Sequence, residues 1–200
     1  MSRQKTSPGK RAPGRTTREA AVREGAAAGA PSPPPVPQAE GTTALVFEVG
    51  ERRFGLPVEH VVQIVEMVAI TPLPRAPEIV AGVIDFHGQV IPVVDVRTRL
   101  DLPAQRYSLR TPIIISRLRE QIAGLIVDRV SGVIEVHPAQ VAEPHEIFTP
   151  ETRPALPLLE GVARTGDGLL LILNLATFLS REEAKTLKRA LTEQRRGPNR

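Results

Sequence analysis

The chain of 200 residues contains no cysteine and no tryptophan, and aromatic residues make up only 3% of it. Without cysteine, neither disulfide bonds nor thiolate metal sites can form. No apolar run approaches the ~20 residues that a membrane span requires. The basic N-terminus lacks the continuous apolar stretch of a signal peptide. We therefore expect a cytoplasmic protein that is not inserted into a membrane.

The motifs of the common enzyme and metal sites are missing as well. The four histidines, His60, His87, His137 and His145, do not lie three or four residues apart, the spacing that favours a helical metal site. There is no Gly-x-Ser-x-Gly elbow and no phosphate-binding Gly-x4-Gly-Lys-Ser/Thr loop. We expect no catalytic residues, no metal and no cofactor, and thus a protein that is not an enzyme.

Large apolar residues are concentrated in the middle of the chain. Residues 1–43 are rich in Ala, Gly, Pro, Ser, Thr and Arg, which predicts a disordered basic leader with a stiff polyproline segment at 31–37. Residues 44–180 are dense in Val, Ile and Leu and predict one folded domain. Residues 181–200 are charged again and predict a C-terminal helix and tail.

The positive net charge of the chain belongs to its two ends. Residues 1–43 and residues 181–200 each carry seven Lys/Arg and three Glu, whereas the segment between them carries twelve basic and sixteen acidic side chains. An acidic domain does not have the electrostatic footprint of a nucleic-acid-binding fold. Binding of nucleic acid or a membrane surface by the basic ends is an alternative, weakened by the few charges in each and the lack of interleaved aromatic residues.

Short apolar runs separated by turn residues predict a series of β hairpins. One turn is His87-Gly88, where glycine accepts a positive φ freely and histidine tolerates it. Pro92, within the following run, cannot donate to a strand ladder and so predicts an edge strand or a bulge. The predicted strand pairs are 44–49 with 52–56, 81–86 with 89–95, 111–118 with 121–127, and 157–164 with 169–173.

Three helices are predicted between and after the strands. The first begins at Pro57 and carries an apolar stripe of four valines, from Val58 to Val65. The second is short, spans 96–102, and has Asp95 as its N-cap. The third begins with Ser180-Arg181-Glu182-Glu183, the pattern of a capping box.

An internal repeat relates the two halves of the predicted domain. Phe54-Gly55-Leu56 has a counterpart in Ala123-Gly124-Leu125, and the segment 82–95 has one in 161–174. Both longer segments open with Gly-Val, turn at a glycine, continue as an apolar strand and end on a side chain that can cap a helix. The repeat predicts two similar units of about five short strands, each curled into a small barrel.

These segments resemble the CheW-like family. The resemblance lies in Gly82-Val83-Ile84 and in Gly88 followed by the run from Val90 to Arg97, and it extends over about residues 43–182. It implies a mainly β fold of two SH3-like five-stranded barrels side by side, with short helices and a C-terminal helix. It also implies a non-enzymatic scaffold of chemotaxis that couples chemoreceptors (methyl-accepting chemotaxis proteins) to a CheA-type histidine kinase, at receptor arrays on the inner face of the membrane.

The resemblance further implies where the partners bind. The kinase regulatory domain has the same fold and meets the adaptor end to end, and the helical tip of the receptor lies against a groove of the first barrel. By position, the receptor-facing residues are Val61, Gln63, Gly82, Ile84 and His87, with Asp85 and Phe86 at the same hairpin tip.

This chain departs from the family at that tip. It has Asp85-Phe86-His87-Gly88 where members typically have Asn-Leu-Arg-Gly, and Gln63 where Glu is usual. Because histidine replaces the rigid, permanently charged fork of arginine, an adaptor for a kinase pathway outside chemotaxis is the alternative. Apart from the resemblance, Val61 and Ile84 fit core positions equally well, and Gly82 fits a bulge or a close backbone approach.

Overall fold

The computed structural model describes residues 41–118, 121–147 and 158–195. Residues 1–40, which include most of the predicted leader and its polyproline segment, lie outside the described residues, as do residues 119–120, 148–157 and 196–200. The described chain is mainly β. Its elements in chain order are β1 (Thr42–Val49), β2 (Arg52–Pro57), β3 (Val61–Glu66), β4 (Val80–Phe86), β5 (Gln89–Asp95), α1 (Val96–Arg99), β6 (Pro112–Leu118), β7 (Gln121–Ile126), β8 (Arg129–Val136), β9 (Val141–Ala142), α2 (Pro144–Ile147), β10 (Leu159–Thr165), β11 (Gly168–Leu173) and α3 (Arg181–Arg195).

The strands form two sheets that do not follow a simple division of the chain. The middle of the chain forms one sheet, in the order β3-β6-β7-β5-β4, which we call the central barrel. Strands from both ends form the other, in the order β8-β1-β2-β11-β10-β9, which we call the terminal barrel. The chain therefore enters the terminal barrel, builds the whole central barrel, and returns.

Among the described residues, three apolar clusters fill the fold, and most strands are buried on both faces. In β1, Ala44 and Val46 belong to the cluster of the terminal barrel, whereas Leu45 and Phe47 belong to a larger cluster. That larger cluster also takes side chains from the central barrel, including Leu125, so it packs the two barrels together. A third cluster, rich in isoleucine, lies in the central barrel. Burial on both faces explains why the strands appear in the sequence as continuous apolar runs.

The predicted repeat is confirmed by the strand register. Gly55 of β2 lies beside Ile172 of β11, and Gly124 of β7 lies beside Val93 of β5, in both cases across a parallel pair. Gly55 and Gly124 are equivalent in the shorter repeated segments, and Val93 and Ile172 are equivalent in the longer ones. The capping side chains are equivalent too: Asp95 accepts a hydrogen bond from the Arg97 N–H at 2.8 Å, and Asn174 accepts one from the Ala176 N–H at 2.9 Å.

The prediction of a helix beginning at Pro57 is wrong. Only Val58–His60 form a single 3-10 turn, and the chain continues as β3, which pairs with β6 in antiparallel register. The four valines of the stripe are β-branched, which lowers helix propensity and favours a pleated strand. The hydrogen-bonded ladder with β6 stabilises the strand over the helix.

Pro92 predicted an edge strand or a bulge, and neither lies at Pro92 itself. Strand β5 lies between β7 and β4, and the bulge lies in β4, between Val80 and Gly82. Pro92 is tolerated because its partner Val83 directs its own N–H and C=O to Thr71, at 2.8 and 2.9 Å, and not to β5. On the other side, the ladder with β7 begins only at Val93. The missing N–H of Pro92 therefore leaves no sheet bond unmade.

The C-terminal helix begins with the predicted capping box. The Ser180 hydroxyl accepts from the Glu183 N–H at 3.1 Å, and the Glu183 carboxylate accepts from the Ser180 N–H at 2.7 Å. On α3, Leu187 and Ala190 are buried in the cluster shared by the barrels. The helix thus packs as a part of the folded unit.

Candidate partner-binding surfaces

The β4–β5 turn holds the exposed His87 at its tip. His87 and Gly88 both have positive φ, 51° and 79°, as in the type I′ turn that suits a two-residue hairpin. The Asp85 carboxylate accepts from the Gly88 N–H at 2.7 Å and closes the turn. Phe86 packs half-buried against the central-barrel cluster and contacts the His87 ring edge-on, with centroids 4.4 Å apart. The imidazole is exposed and locally supported.

A second surface lies on β3, an edge strand of the central barrel. A bulge leaves Val62 without a partner in the ladder to β6. Val62, Gln63 and Ile64 are exposed in succession, whereas Val65 is half-buried against the same cluster that supports Phe86. Exposed apolar residues such as Val62 and Ile64 on an edge strand are typical of a contact surface, since natural edges are usually blunted by charge.

The seven residues predicted to bind a partner, the five receptor-facing ones together with Asp85 and Phe86, lie on β3, on β4 and in the β4–β5 turn, with different degrees of exposure. Gln63, Asp85 and His87 are exposed, and Val61 and Phe86 are half-buried. Gly82 and Ile84 are buried, so they support the surface from below. A Cβ on Gly82 would lie 2.3 Å from the Thr71 carbonyl oxygen, which is the close backbone approach that the sequence left open. The sequence did not distinguish the exposed apolar residues Val62, Ile64, Val68, Val90 and Leu109 from core residues.

The terminal barrel carries exposed apolar residues at equivalent positions. Strand β8 has the same bulge as β3, with Ser131 unpaired in the place of Val62. Two residues further on, Ile64 of β3 and Val133 of β8 are 42% and 56% exposed. The second residues of β5 and β11, Val90 and Leu169, are 39% and 46% exposed. The repeat therefore duplicates exposed apolar positions along with the barrel.

A charged network joins α1 to the crossover between the barrels. Arg97 donates to both carboxylate oxygens of Asp128, each at 2.7 Å, and Asp128 also accepts from the Gly50 N–H at 2.7 Å. Burial alone would raise the pKa of Asp128, but the bonds from Arg97 and Gly50 hold it below its usual range. The Tyr107 hydroxyl donates to Asp95, and burial together with that bond raises the pKa of Tyr107.

The stability of the fold should decrease in acid because of Asp128. A carboxyl group whose pKa is lowered in the folded state stabilises that state above its unfolded pKa, about 3.9 for aspartate, and the stabilisation is lost as the pH falls through the folded value. Urea unfolding of Asp128→Asn should show a loss of about 1.5–3 kcal/mol at pH 7. The difference from the unsubstituted chain should shrink towards pH 3, and a difference that is constant with pH would contradict this role.

The described residues contain neither a group of metal ligands nor a membrane-spanning helix. In residues 41–118, 121–147 and 158–195, no three or more His, Asp or Glu side chains are grouped in a way that could hold a metal ion. None of the helices in these ranges has the length and apolar character needed to cross a bilayer.

Paired SH3-like barrels that expose apolar residues at equivalent positions are typical of a protein-binding domain. Residues 43–183 match the CheW-like domain family. The chain is 35% identical over 96 residues to chemotaxis protein CheW of Rhizobium meliloti, covering 48% of this chain and 62% of that protein. It is 30% identical to CheW of Bacillus subtilis, covering 73% and 92%. The crystal structure of the scaffolding protein TtCheW from Thermoanaerobacter tengcongensis superposes with a TM-score of 0.64 and 31% identity, covering 72% and 95%.

The chain therefore belongs to the CheW-like domain family. This membership confirms the resemblance inferred from the sequence, the paired-barrel fold and an adaptor role in chemotaxis signalling. The match to the Rhizobium meliloti protein spans less than two thirds of that protein.

Proposed function

We propose that this protein is a bivalent scaffold that holds the regulatory domain of a CheA-type histidine kinase and the cytoplasmic helical tip of a chemoreceptor at the same time, without catalysing a reaction. It acts in the cytoplasm, at receptor arrays on the inner face of the membrane. The observation that carries the proposal is the duplication of one exposed apolar surface on two barrels. One molecule with two such surfaces can bind two partners, which is the minimum that a coupling protein needs.

The receptor binds the central barrel. The exposed residues of β3, Val62, Gln63 and Ile64, and the exposed His87 of the hairpin tip supply both apolar area and hydrogen-bonding groups. A helical hairpin presents apolar stripes flanked by polar side chains, and a mixed surface of this kind is complementary to it. Asp85 holds the turn through Gly88, so its carboxylate orients the imidazole more than it contacts the partner.

The kinase regulatory domain binds the terminal barrel. Val133 and Leu169 supply exposed apolar area there, with small residues, Ser131 and Gly132, beside Val133 on β8. Small neighbours allow a partner backbone to approach the strand closely. Since the kinase domain is implied to have the same fold, its own apolar barrel edge can pair with this surface.

Two charge insertions test the proposal. Ile64→Glu should weaken receptor binding at least about 30-fold, and Val133→Glu should weaken kinase binding by a similar factor, since a charge buried in an apolar contact costs about 2 kcal/mol or more. Binding of the full chain to a purified receptor hairpin fragment and to the kinase regulatory domain is measured separately by calorimetry.

Each variant is the control for the other. Ile64→Glu should bind the kinase as the unsubstituted chain does, and Val133→Glu should bind the receptor fragment normally. Loss of both partners in either variant, with the fold intact by circular dichroism, would disprove the assignment of one partner to each barrel. Failure of the unsubstituted chain to bind either partner at micromolar concentration would disprove the scaffold itself.

A further inference from the structure

Helix α1 is a single turn, yet its two arginines tie the central barrel to elements of the terminal half of the fold. Arg97 forms a bidentate ion pair with Asp128, and Arg99 forms an ion pair with Glu183 of α3 at 3.3 Å. The side chains of Arg97 and Asp128 are only 15% and 22% exposed, and those of Arg99 and Glu183 are 21% and 24% exposed. Both pairs are therefore largely shielded from water, where charged hydrogen bonds are stronger and better ordered.

Asp128 lies at the point where the chain leaves the central barrel for the terminal one. It follows β7 and precedes β8 directly. Its N–H donates to the Glu48 carbonyl at 3.0 Å, and its carboxylate accepts from the Gly50 N–H at 2.7 Å; both of those residues belong to the β1–β2 hairpin of the terminal barrel. One carboxylate thus connects a guanidinium of the central barrel to the backbone of the terminal barrel.

The apolar cluster between the barrels provides attraction but little direction. Hydrophobic burial depends on area and has no angular preference, so the cluster that contains Phe47 and Leu125 holds the barrels together without a directional bond between them. A bidentate arginine–carboxylate pair has two parallel bonds in one plane and therefore restricts rotation. A third donor fixes the arginine itself, because Nη1 donates to the Pro103 carbonyl at 2.9 Å.

We infer that Arg97 and Asp128 are positioning residues that set the angle between the two barrels, and with it the geometry in which both partners are held. This inference rests on the proposed function, since an angle between barrels matters only if each barrel carries a partner. Neither residue belongs to the exposed apolar surfaces, so the pair acts on assembly through the barrels and not through contact with a partner.

The test compares two mild substitutions with a matched control in the full chain. Arg97→Lys keeps the positive charge and removes the fork, and Asp128→Asn keeps the shape and removes the negative charge. The control is Arg75→Lys, because Arg75 also forms an ion pair with α3, at Glu193, but these two side chains are 81% and 51% exposed.

The absence of cysteine makes a direct measurement of the angle simple. Spin labels at Gln89→Cys in the central barrel and Arg164→Cys in the terminal barrel, both exposed positions, report the distance between barrels by pulsed electron resonance. We expect a broader or shifted distance distribution in Arg97→Lys and Asp128→Asn, and an unchanged one in the control. If Asp128→Asn does not fold, the distance distribution of Arg97→Lys alone tests the inference, because this variant keeps the positive charge beside Asp128.

Binding gives the second measurement. In Arg97→Lys, the affinity for the receptor fragment alone and for the kinase domain alone should stay within about twofold of that of the unsubstituted chain, whereas the affinity for the second partner once the first is bound should fall about tenfold, within the usual range of coupling between sites. An unchanged distance distribution together with unchanged binding of the second partner would overturn the inference. Should neither partner bind the unsubstituted chain, the scaffold proposal fails, and the distance measurement still decides whether the pair sets the angle.

Discussion

Replacing Gly82 by alanine should destabilise the folded state by about 3–5 kcal/mol, because the substitution combines backbone strain with a collision. Gly82 has a φ of +151°, which side chains rarely adopt. A Cβ there would lie 2.3 Å from the Thr71 carbonyl oxygen, and that oxygen accepts from the Val83 N–H at 2.8 Å. Relieving the collision therefore also disturbs a hydrogen bond at the edge of the central barrel. Urea unfolding followed by circular dichroism measures the loss.

Gly132→Ala is the matched control. Gly132 has a similar φ, +138°, but a Cβ there would meet nothing within 4 Å. Gly132→Ala should therefore lower the free energy of unfolding by about 1–3 kcal/mol, the cost of backbone strain alone. Equal losses in the two variants would show that the approach of Thr71 does not matter. If Gly82→Ala impairs receptor binding only in proportion to the unfolded fraction, its place in the receptor surface is structural.

Replacing Leu187 by alanine should destabilise the protein by about 2–5 kcal/mol, the usual range for removing a buried leucine side chain. Leu187 lies on α3, is 0% exposed, and belongs to the cluster between the barrels. Thermal unfolding of the full chain measures the loss. A large loss would extend the folded domain beyond residue 180, which the sequence predicted as its end, to include the C-terminal helix.

Lys188→Ala, one residue further along the same helix, is the control for Leu187→Ala. Lys188 is exposed, so its removal should change the free energy of unfolding by no more than about 0.5 kcal/mol. A small effect for both variants would mean that α3 is attached only loosely to the rest of the domain. The ion pair of Glu183 with Arg99 would then contribute little to the attachment as well.

Features that depend on neighbours in the chain could be predicted from the sequence. The turn at His87-Gly88 follows from the tolerance of both residues for positive φ, and the capping roles of Asp95 and Ser180 follow from the pattern of donors and acceptors over three or four residues. The repeat was visible because both barrels need glycine and capping residues at the same intervals. In each case, the signal and the interaction lie within one short segment.

Features that depend on distant segments could not be predicted in this way. The four valines from Val58 to Val65 fit a helical stripe, and only the ladder with β6 made Val61–Glu66 a strand. Pro92 indicated an edge or a bulge, and only the bridge between Val83 and Thr71 allowed it a place in an interior strand. Likewise, Ile84 and Ile64 are the same residue type on edge strands of one barrel, yet the former is 4% and the latter 42% exposed.

The sequence by itself determined the family, the duplicated barrel and the local geometry of its turns and caps, because these follow from residue types at fixed short spacings. The tertiary structure alone decided which apolar residues are core and which are surface, because burial depends on what packs against a strand. It also decided that Arg97 and Asp128, 31 positions apart, meet at the crossover between the barrels. No periodicity of the chain encodes such a contact, since it arises only when the return of the chain to the terminal barrel brings the two residues together.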